Sequence, residues 1–591
     1  MTKRTWKAIS GTLLALGMSI LLLLTIRAAG ETEELTTDTF MDFNQGTIDN
    51  VDTWSARGSV HLDRRWWPSQ MVNAPSPNSK LTPRLSFALT NTAVSTETIF
   101  IAVWADERGS DHCPDLYSDR STNGGRTWGP DVRIMDTCDP DDSPYPECPC
   151  MYNPDTAMRA ADESLWVVWW QDWTDSREPG DIYYTTSSDK GQSWSSSRTA
   201  VYTGTGKQLW PRIASHASSG YLYTAWEDER DDDGDIYISR YHPDTDTAWE
   251  TPIKISDDTA DAQQRQPALA VDVDGNLYTA WEDFRDDLDG YDEQVYFSRW
   301  ITGTGWTETA WMTNTRLSDP DAHFAGDPYI IAGPGGILYA AWYERMPTDA
   351  GGGYTFRVVA ARSDDQGDTW TRSVVAQLPE SFESGLSSYG TPAIGIDWSD
   401  RLYVAWGWLL DSTSGNSRLV FAQSPDGGLH WTAYRMLTDV EQWVDALDLV
   451  SSFDGEVVAT WEQYVGASPQ IHATGYPADN YLSSGTYART LDPGGLASWD
   501  TITWTAAISP NTSLRVATRV MTSAGAGWTD WVTHAASGEA LSHPDGRYIQ
   551  YRAAFTSTTP PPTNDTPVLH EVTVSYQPYH QVYLPLVLKE G

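Results

Sequence analysis

Five-residue apolar runs that end in tryptophan recur along the middle of the chain. They are Phe100-Ile101-Ala102-Val103-Trp104, Leu165-Trp166-Val167-Val168-Trp169, Leu222-Tyr223-Thr224-Ala225-Trp226 and Leu277-Tyr278-Thr279-Ala280-Trp281, then Leu338 to Trp342, Leu402 to Trp406 and Val457 to Trp461. The seven tryptophans lie 55 to 65 residues apart, room for about four strands and their turns. Each is followed by a polar, often acidic loop and a second β-rich run, such as Asp181-Ile182-Tyr183-Tyr184 or Asp235-Ile236-Tyr237-Ile238. Runs this short, separated by turn residues, predict an all-β protein.

A hairpin motif follows. It reads Ser121-Thr122-Asn123-Gly124-Gly125-Arg126-Thr127-Trp128 in the first copy and Ser187-Ser188-Asp189-Lys190-Gly191-Gln192-Ser193-Trp194 in the second, and returns at Ser363 to Trp370 and Ser424 to Trp431. Copies three and four keep only Ser239 with Trp249 and Ser298 with Trp306. The seventh copy is cut short after Thr474, whereas Trp67-Pro68-Ser69-Gln70-Met71-Val72 resembles the strands that follow the hairpins. An N-terminal strand is therefore expected to complete the last blade of a seven-bladed β-propeller over residues 67–478, closing the ring and removing its open edges.

Residues 481–577 change character. Trp499, Trp504, Trp528 and Trp531 precede alternating runs at Tyr548 to Arg552 and Val572 to Tyr576, which predict a C-terminal β-sandwich whose aromatic residues read as core, against the reading of a sugar platform. Residues 31–66 form a β-rich lead-in, and the apolar tail 578–591 is either a docked strand or a surface-sorting signal.

The pattern Ser-x-Asp-x-Gly-x-Thr-Trp resembles the Asp-box, or BNR repeat, of the sialidase superfamily. Its residues are Ser121, Asn123 and Trp128; Ser187, Asp189 and Trp194; Ser363, Asp365 and Trp370; and Ser424, Asp426 and Trp431. The boxes read as structural: Ser and Asp bond backbone groups across the turn, Gly accepts a positive φ, and Trp fills the space between strands. For a true sialidase the resemblance implies a six-bladed ring, three arginines on the sialate carboxylate, a Tyr nucleophile assisted by Glu, and an Asp acid/base. The family's first arginine sits in a Phe/Tyr-Arg-Ile-Pro motif. Here the order is reversed, as Thr82-Pro83-Arg84-Leu85, so no catalytic residue is carried over.

Charge narrows the partners. With 39 basic against 81 acidic residues and a net charge of -42, nucleic acid and anionic membranes are disfavoured, because phosphates need Lys and Arg. The N-terminus carries Lys3, Arg4 and Lys7, an apolar run from Ala8 to Ile26, and Ala28-Ala29-Gly30, the form of an export signal or an uncleaved membrane anchor in residues 1–30. The remainder is expected outside the cytoplasm, secreted or at the cell surface, as a monomer touching membrane only through that segment. Cys113, Cys138, Cys148 and Cys150 lie in one window and read as disulfide candidates; bridging Cys148 to Cys150 would strain the geometry, and zinc is the rival reading.

The loop after each repeat tryptophan falls on the face opposite the boxes, where propellers usually bind ligands. It carries Asp106 and Arg108, Asp172 and Trp173, Asp228 and Arg230, Asp283 and Arg285, Glu344 and Arg345. Carboxylates beside arginines can hold an acidic sugar or work on a glycosidic bond, yet an Asp-x-Arg pair repeated in three blades reads as blade-to-blade ion pairing. A catalytic site should use residues found in one blade, such as Arg84, Trp173, Arg212, His323, Arg357, Tyr389 or Trp408. No cofactor is expected to be required; Ca²⁺ is the candidate ion, at Asp231, Asp233 and Asp235, against the reading of a solvated acidic loop. The expectation is a glycan-binding or scaffold propeller, with an exo-acting glycoside hydrolase of sialidase type as the alternative.

Overall fold

In the computed structural model each apolar run becomes the second strand of a four-stranded antiparallel sheet. The structure describes residues 69–74, 80–91, 96–108, 113–135, 149–173, 180–231, 233–258, 262–286, 293–347, 354–378, 392–396, 401–409, 417–424, 426–432, 434–437, 444–451, 457–465, 468–476, 484–522, 526–557 and 566–582, with five short strands before residue 63. They form two units: Arg64–Asn480, and Met1–Asp63 together with Tyr481–Gly591. The apolar part of the N-terminal segment up to residue 23 lies outside the described residues.

In the first unit the opening sheet runs in sequence order through Lys80–Asn91, Thr96–Asp106, Asp115–Ser121 and Val132–Met135. Six more sheets follow, with inner strands Pro149–Arg159, Gln208–Ser215, Gln264–Val271, Phe324–Ala332, Ala393–Ile396 and Val444–Ser451. Each inner strand touches the next and the last touches the first, so the sheets close into a β-propeller. The closing strand is Gln70–Met71, which pairs with Ser468–Tyr476 so that Met71 faces His472. Asn73 locks this seam, donating from Nδ2 to Gln470 Oε1 at 2.9 Å and accepting from Ile471 N at 2.7 Å. Trp67 and Pro68 lie outside the described residues.

The core is a set of layers between sheets. Seven apolar clusters each combine residues of two successive sheets, and each contains the repeat tryptophan of the later one: Trp169 packs on Ile101 and Val103, Trp281 on Tyr223 and Ile236, Trp104 on Val458 and Ile471 across the seam. A second strand is thus covered on both faces, which is why its sequence is continuously apolar rather than alternating. All seven indoles are fully buried. Each burial removes roughly 200 Å² from water, on the order of 5 kcal/mol before entropy.

The four hairpins share one hydrogen-bond plan. Ser187 Oγ accepts from Gly191 N at 2.9 Å and Asp189 Oδ1 from Ser193 N at 2.8 Å, as do Ser363 from Gly367 N at 2.8 Å and Asp365 from Thr369 N at 2.8 Å. Ser121 with Asn123 and Ser424 with Asp426 repeat it. The turns wedge against the preceding sheet: Trp194 donates to Ser118 Oγ at 2.9 Å and Trp431 to Ser373 Oγ at 2.8 Å, while Trp370 stands edge-on to Phe297. Ser239 and Ser298 are not the box serines of copies three and four. Strand register places them level with Thr185, and Tyr241 and Trp300 occupy the position of Ser187. Their hydroxyls donate to backbone oxygens of Glu250 and Met312, both at 2.6 Å, so the two serines stand two residues before the hairpin position.

In the second unit, Ser484–Leu491, Tyr548–Ser557, Thr512–Met521, Val532–His534 and Thr47–Asp49 make one sheet. Ala497–Ala507, Val568–Val582, Glu539–Ala540, Glu33–Thr37 and Leu24–Arg27 make the other. One cluster joins them, with Tyr487, Val516 and Ile549 from the first and Trp499, Ile502 and Val574 from the second. The lead-in therefore adds strands to this unit, with Leu35 packed on its core. Residues 578–582 of the tail continue a strand, and 583–591 lie outside the described residues.

Replacing Trp281 by Ala is expected to cost about 3–5 kcal/mol, read by chemical denaturation. Gly367 has φ +94°, and a Cβ there would lie 2.4 Å from the Phe297 ring, so Gly367→Ala is expected to cost at least ~1 kcal/mol through strain and clash; an unchanged melting temperature would contradict the wedge.

Candidate functional site

One local distortion is repeated around the ring. In six inner strands a non-glycine residue takes a positive φ: Thr82 (50°), Asn153 (45°), Trp210 (52°), Gln266 (51°), Asp327 (55°) and Ala446 (47°). In five of these the next residue is proline, Pro83, Pro154, Pro211, Pro267 and Pro328, and at all six the register with the second strand shifts. These are β-bulges, which suit proline because the bulged residue leaves the ladder. Backbone in this region costs on the order of 1 kcal/mol or more per residue.

The residue after each bulge sits at one level of the ring, opposite the residue that precedes the repeat tryptophan. Going round, that level holds Arg84, Asp155, Arg212, Ala268, Tyr329, Ala393 and Asp448. Tyr329 donates to Asp448 Oδ1 at 2.8 Å. These residues belong to the fifth and seventh sheets, which are not neighbours, so the bond reaches across the ring interior. Small side chains at Ala268 and Ala393 leave the belt open on their sides.

The carboxylates of the belt also stitch blades. Asp155 Oδ2 accepts from Ile213 N at 2.8 Å and Asp448 Oδ2 from Leu85 N at 2.7 Å. The guanidinium groups are used differently: Arg212 Nε donates to Pro267 O at 3.2 Å and Arg84 Nη1 to Pro83 O at 3.4 Å. Among the described residues neither has a carboxylate within 4.0 Å, although both are only half-buried. Burial raises the Asp155 carboxyl against the pull of Arg212 and Arg84. Burial raises the Tyr329 phenol well above its ordinary range, with Asp448 adding to the shift. Burial, then Arg84, lowers Arg212.

A second layer lies toward the blade-to-blade links. Glu227, Glu282 and Glu462 each follow a repeat tryptophan. Glu282 Oε1 accepts from the bulged Asp327 N at 2.7 Å, Glu462 Oε1 accepts from Thr82 N, and Glu227 Oε1 accepts from Gln263 at 3.3 Å. Arg265 answers part of this charge, reaching Glu282 at 2.7 Å and Glu293 at 3.2 Å. Burial pushes Glu227 and Glu462 up to about 8, with Asp445 adding to the shift of Glu462.

The acidic and basic pairs expected on the ligand face are engaged inside their own blades. Asp106, Asp228 and Asp283 are fully buried and accept from Trp104, Trp226 and Trp281 at 3.0, 2.8 and 2.9 Å. Each also receives the arginine two residues on, Arg108, Arg230 or Arg285, at 2.8 to 2.9 Å, and those arginines lie over Tyr117, Tyr237 and Tyr296. The Asp-x-Arg pairs therefore close within a blade, and Arg285 also reaches Asp257, in the link from the preceding sheet, at 2.7 Å. Buried Glu344 accepts from Trp342 at 2.8 Å and pairs with Arg357 at 2.6 Å, while Arg345 lies over Tyr354. Asp172 is half-buried, and the side chains of Trp173 and Trp408, with all of Tyr389, lie outside the described residues. His323 stands edge-on to Tyr354. Asp231 bonds Tyr237 and Asp235 bonds Lys254 and Ser256; with Asp233 they do not converge, and no three metal-ligating side chains do among the described residues. Cys113 and Cys150 form a disulfide; Cys138 and Cys148 lie outside the described residues. Of the single-blade candidates among the described residues, Arg84 and Arg212 share one level of the ring. The repeated x-Pro-y in the inner strands was the sequence signal for the belt.

The raised carboxyls set a pH dependence. Folded Glu227 and Glu462 hold protons up to about pH 8, whereas an unfolded Glu releases its proton near 4.5, so their stabilisation is complete below that value and is lost as pH rises to 8. Glu462→Gln keeps an acceptor for Thr82 N and is expected to recover ~1 kcal/mol or more at pH 8.5 but little at pH 5, measured by denaturation at both values.

No protein-family model and no curated protein sequence matches the chain. Among solved structures, it is similar to an α-L-arabinanase of Penicillium chrysogenum complexed with arabinobiose, at 14% identity and a TM-score of 0.40, over 71% of this chain and 100% of that one. It is also similar to an ulvan lyase of polysaccharide lyase family 25, at 11% identity and a TM-score of 0.42, over 68% and 95%. The intramolecular trans-sialidase of Ruminococcus gnavus matches at 10% identity and a TM-score of 0.38, over 66% and 93%.

Proposed function

We propose that this chain is an exported seven-bladed propeller with a C-terminal β-sandwich, and that it binds an acidic glycan in the ring interior. The observation that carries the reading is the pair Arg84 and Arg212, two guanidinium groups at one level of the ring with no carboxylate within 4.0 Å among the described residues. In a chain with twice as many acids as bases, most arginines are neutralised by a neighbour; a pair held on backbone carbonyls alone is ready for a carboxylate from outside. The Cys113–Cys150 bridge supports an oxidising compartment and hence export.

Tyr329 and Asp448 favour a second reading, glycoside hydrolysis. Asp448 is placed to take the phenol proton as Tyr329 attacks an anomeric carbon, and Asp155, whose carboxyl burial raises, is the candidate to protonate the leaving oxygen. Calorimetry and a fluorogenic sialoside assay on the purified chain separate the two. Arg84→Met and Arg212→Met are each expected to weaken binding of an acidic glycan about 10- to 100-fold, and unchanged affinity would refute the ring site. Turnover lost in Tyr329→Phe would establish the hydrolytic reading.

A further inference from the structure

The second unit carries a feature that the ring does not explain. On the outer face of the sheet built on Tyr548–Ser557, Trp528, Arg519, Trp531 and Arg552 interleave. The Arg519 guanidinium lies 4.9 Å from the Trp528 ring and 4.5 Å from the Trp531 ring, and Arg552 lies 4.6 Å from Trp531. The two guanidinium carbons are therefore no farther apart than about 9 Å. Pairing register puts Arg519 beside Gln550 and Arg552 beside Ala517 and Ala488, so small residues flank one arginine; exposed Arg515 lies on the same face, four residues before Arg519 in the strand.

These side chains are held in place. Thr529 N donates to Val520 O at 2.9 Å and Val520 N to Thr529 Oγ1 at 3.0 Å, which pins the Trp528–Trp531 turn to the strand. Arg519 Nε donates to Gln550 Oε1 at 2.8 Å, and Gln550 Nε2 to Thr490 Oγ1 at 3.1 Å. Among the described residues no carboxylate lies within 4.0 Å of Arg515, Arg519 or Arg552. Burial, then the neighbouring Arg552, lowers Arg519 below its ordinary value. Three uncompensated positive charges on one face are costly in isolation, and in a chain of net charge -42 they are not a by-product of composition.

We infer that this face is a second, separate binding site, for a uronate-containing oligosaccharide. Guanidinium edges beside indoles take carboxylates in a fixed geometry, and half-buried Trp528 offers apolar ring surface to the C–H side of a sugar ring. Nucleic acid would also stack on indoles, but its duplex carries one charge per ~1.7 Å, and three arginines cannot offset that against the field of this chain. Preorganisation by the pinned turn limits the ordering cost of binding.

Titration of the full chain with hexagalacturonate, its methyl ester and a single-stranded deoxyoligonucleotide of equal charge tests the site. Hexagalacturonate is expected to bind at least tenfold more tightly than the other two. In the Arg84→Met/Arg212→Met background, which removes the ring site, adding Arg519→Gln/Arg552→Gln is expected to lose at least a further tenfold in affinity, so failure of the ring site and of this one are told apart. Arg515→Gln, at an exposed position, is expected to weaken binding severalfold with no change in melting temperature. Absence of hexagalacturonate binding, equal binding of the ester, tighter binding of the oligonucleotide, or affinity unchanged in the arginine variants would each overturn the inference; so would a variant that melts earlier yet binds as before.

Discussion

Each sheet of the ring is stable only because the next one covers it, and the contact that covers it is the repeat tryptophan. A single four-stranded sheet exposes two apolar faces. Here Trp169 closes the gap to the first sheet and Trp104 the gap to the seventh, so one residue type serves all seven layers. The indole N–H would be a buried orphan in such a layer; in Trp104, Trp226, Trp281 and Trp342 a carboxylate two residues on accepts it. That carboxylate then needs its own counter-charge, supplied by Arg108, Arg230, Arg285 or Arg357. The chain of requirements runs from an apolar contact to a salt bridge within a few residues.

Closure also permits the distortion at the centre. Six positive-φ residues in the inner strands would be hard to maintain in an isolated sheet, and two of the freed N–H groups are met by the neighbouring blade, Asp327 N by Glu282 and Thr82 N by Glu462. The bulges turn one side chain per strand to a common level. Packing demands near-identity of the blades between sheets but places little demand on that level, so Arg, Asp, Tyr and Ala can occupy equivalent positions. The fold thus separates residues that must repeat from residues free to differ, and only the latter can build an asymmetric site.

The acidic pairs after the tryptophans illustrate why residue type alone misleads. Asp228 and Arg230 have the chemistry of a sugar site, but they are three bonds of a local network: Trp226 to Asp228, Asp228 to Arg230, Arg230 over Tyr237. Arg84 has the same side chain as Arg230 and a different fate, because no acid stands two residues before it and the bulge carries it inward. In the second unit, Trp499 is core and Trp528 and Trp531 are not; an aromatic residue in a strand that alternates cannot announce which face it takes until its neighbour is known.

The sequence by itself determined the repeated sheet unit, because period and residue type are local: an apolar run, an acidic loop, a second run and a box follow one another within about 60 residues. It also determined the hairpin bonds, since Ser, Asp and Gly act within five positions. It could not determine that Ser239 and Ser298 stand two residues before the hairpin serine position, because a two-residue shift preserves the alternation. Nor could it reveal the belt of Arg84, Asp155, Arg212, Tyr329 and Asp448, whose members lie in different sheets of one closed ring. Only closure brings them to one level, and only the bulge decides which residue of x-Pro-y faces inward.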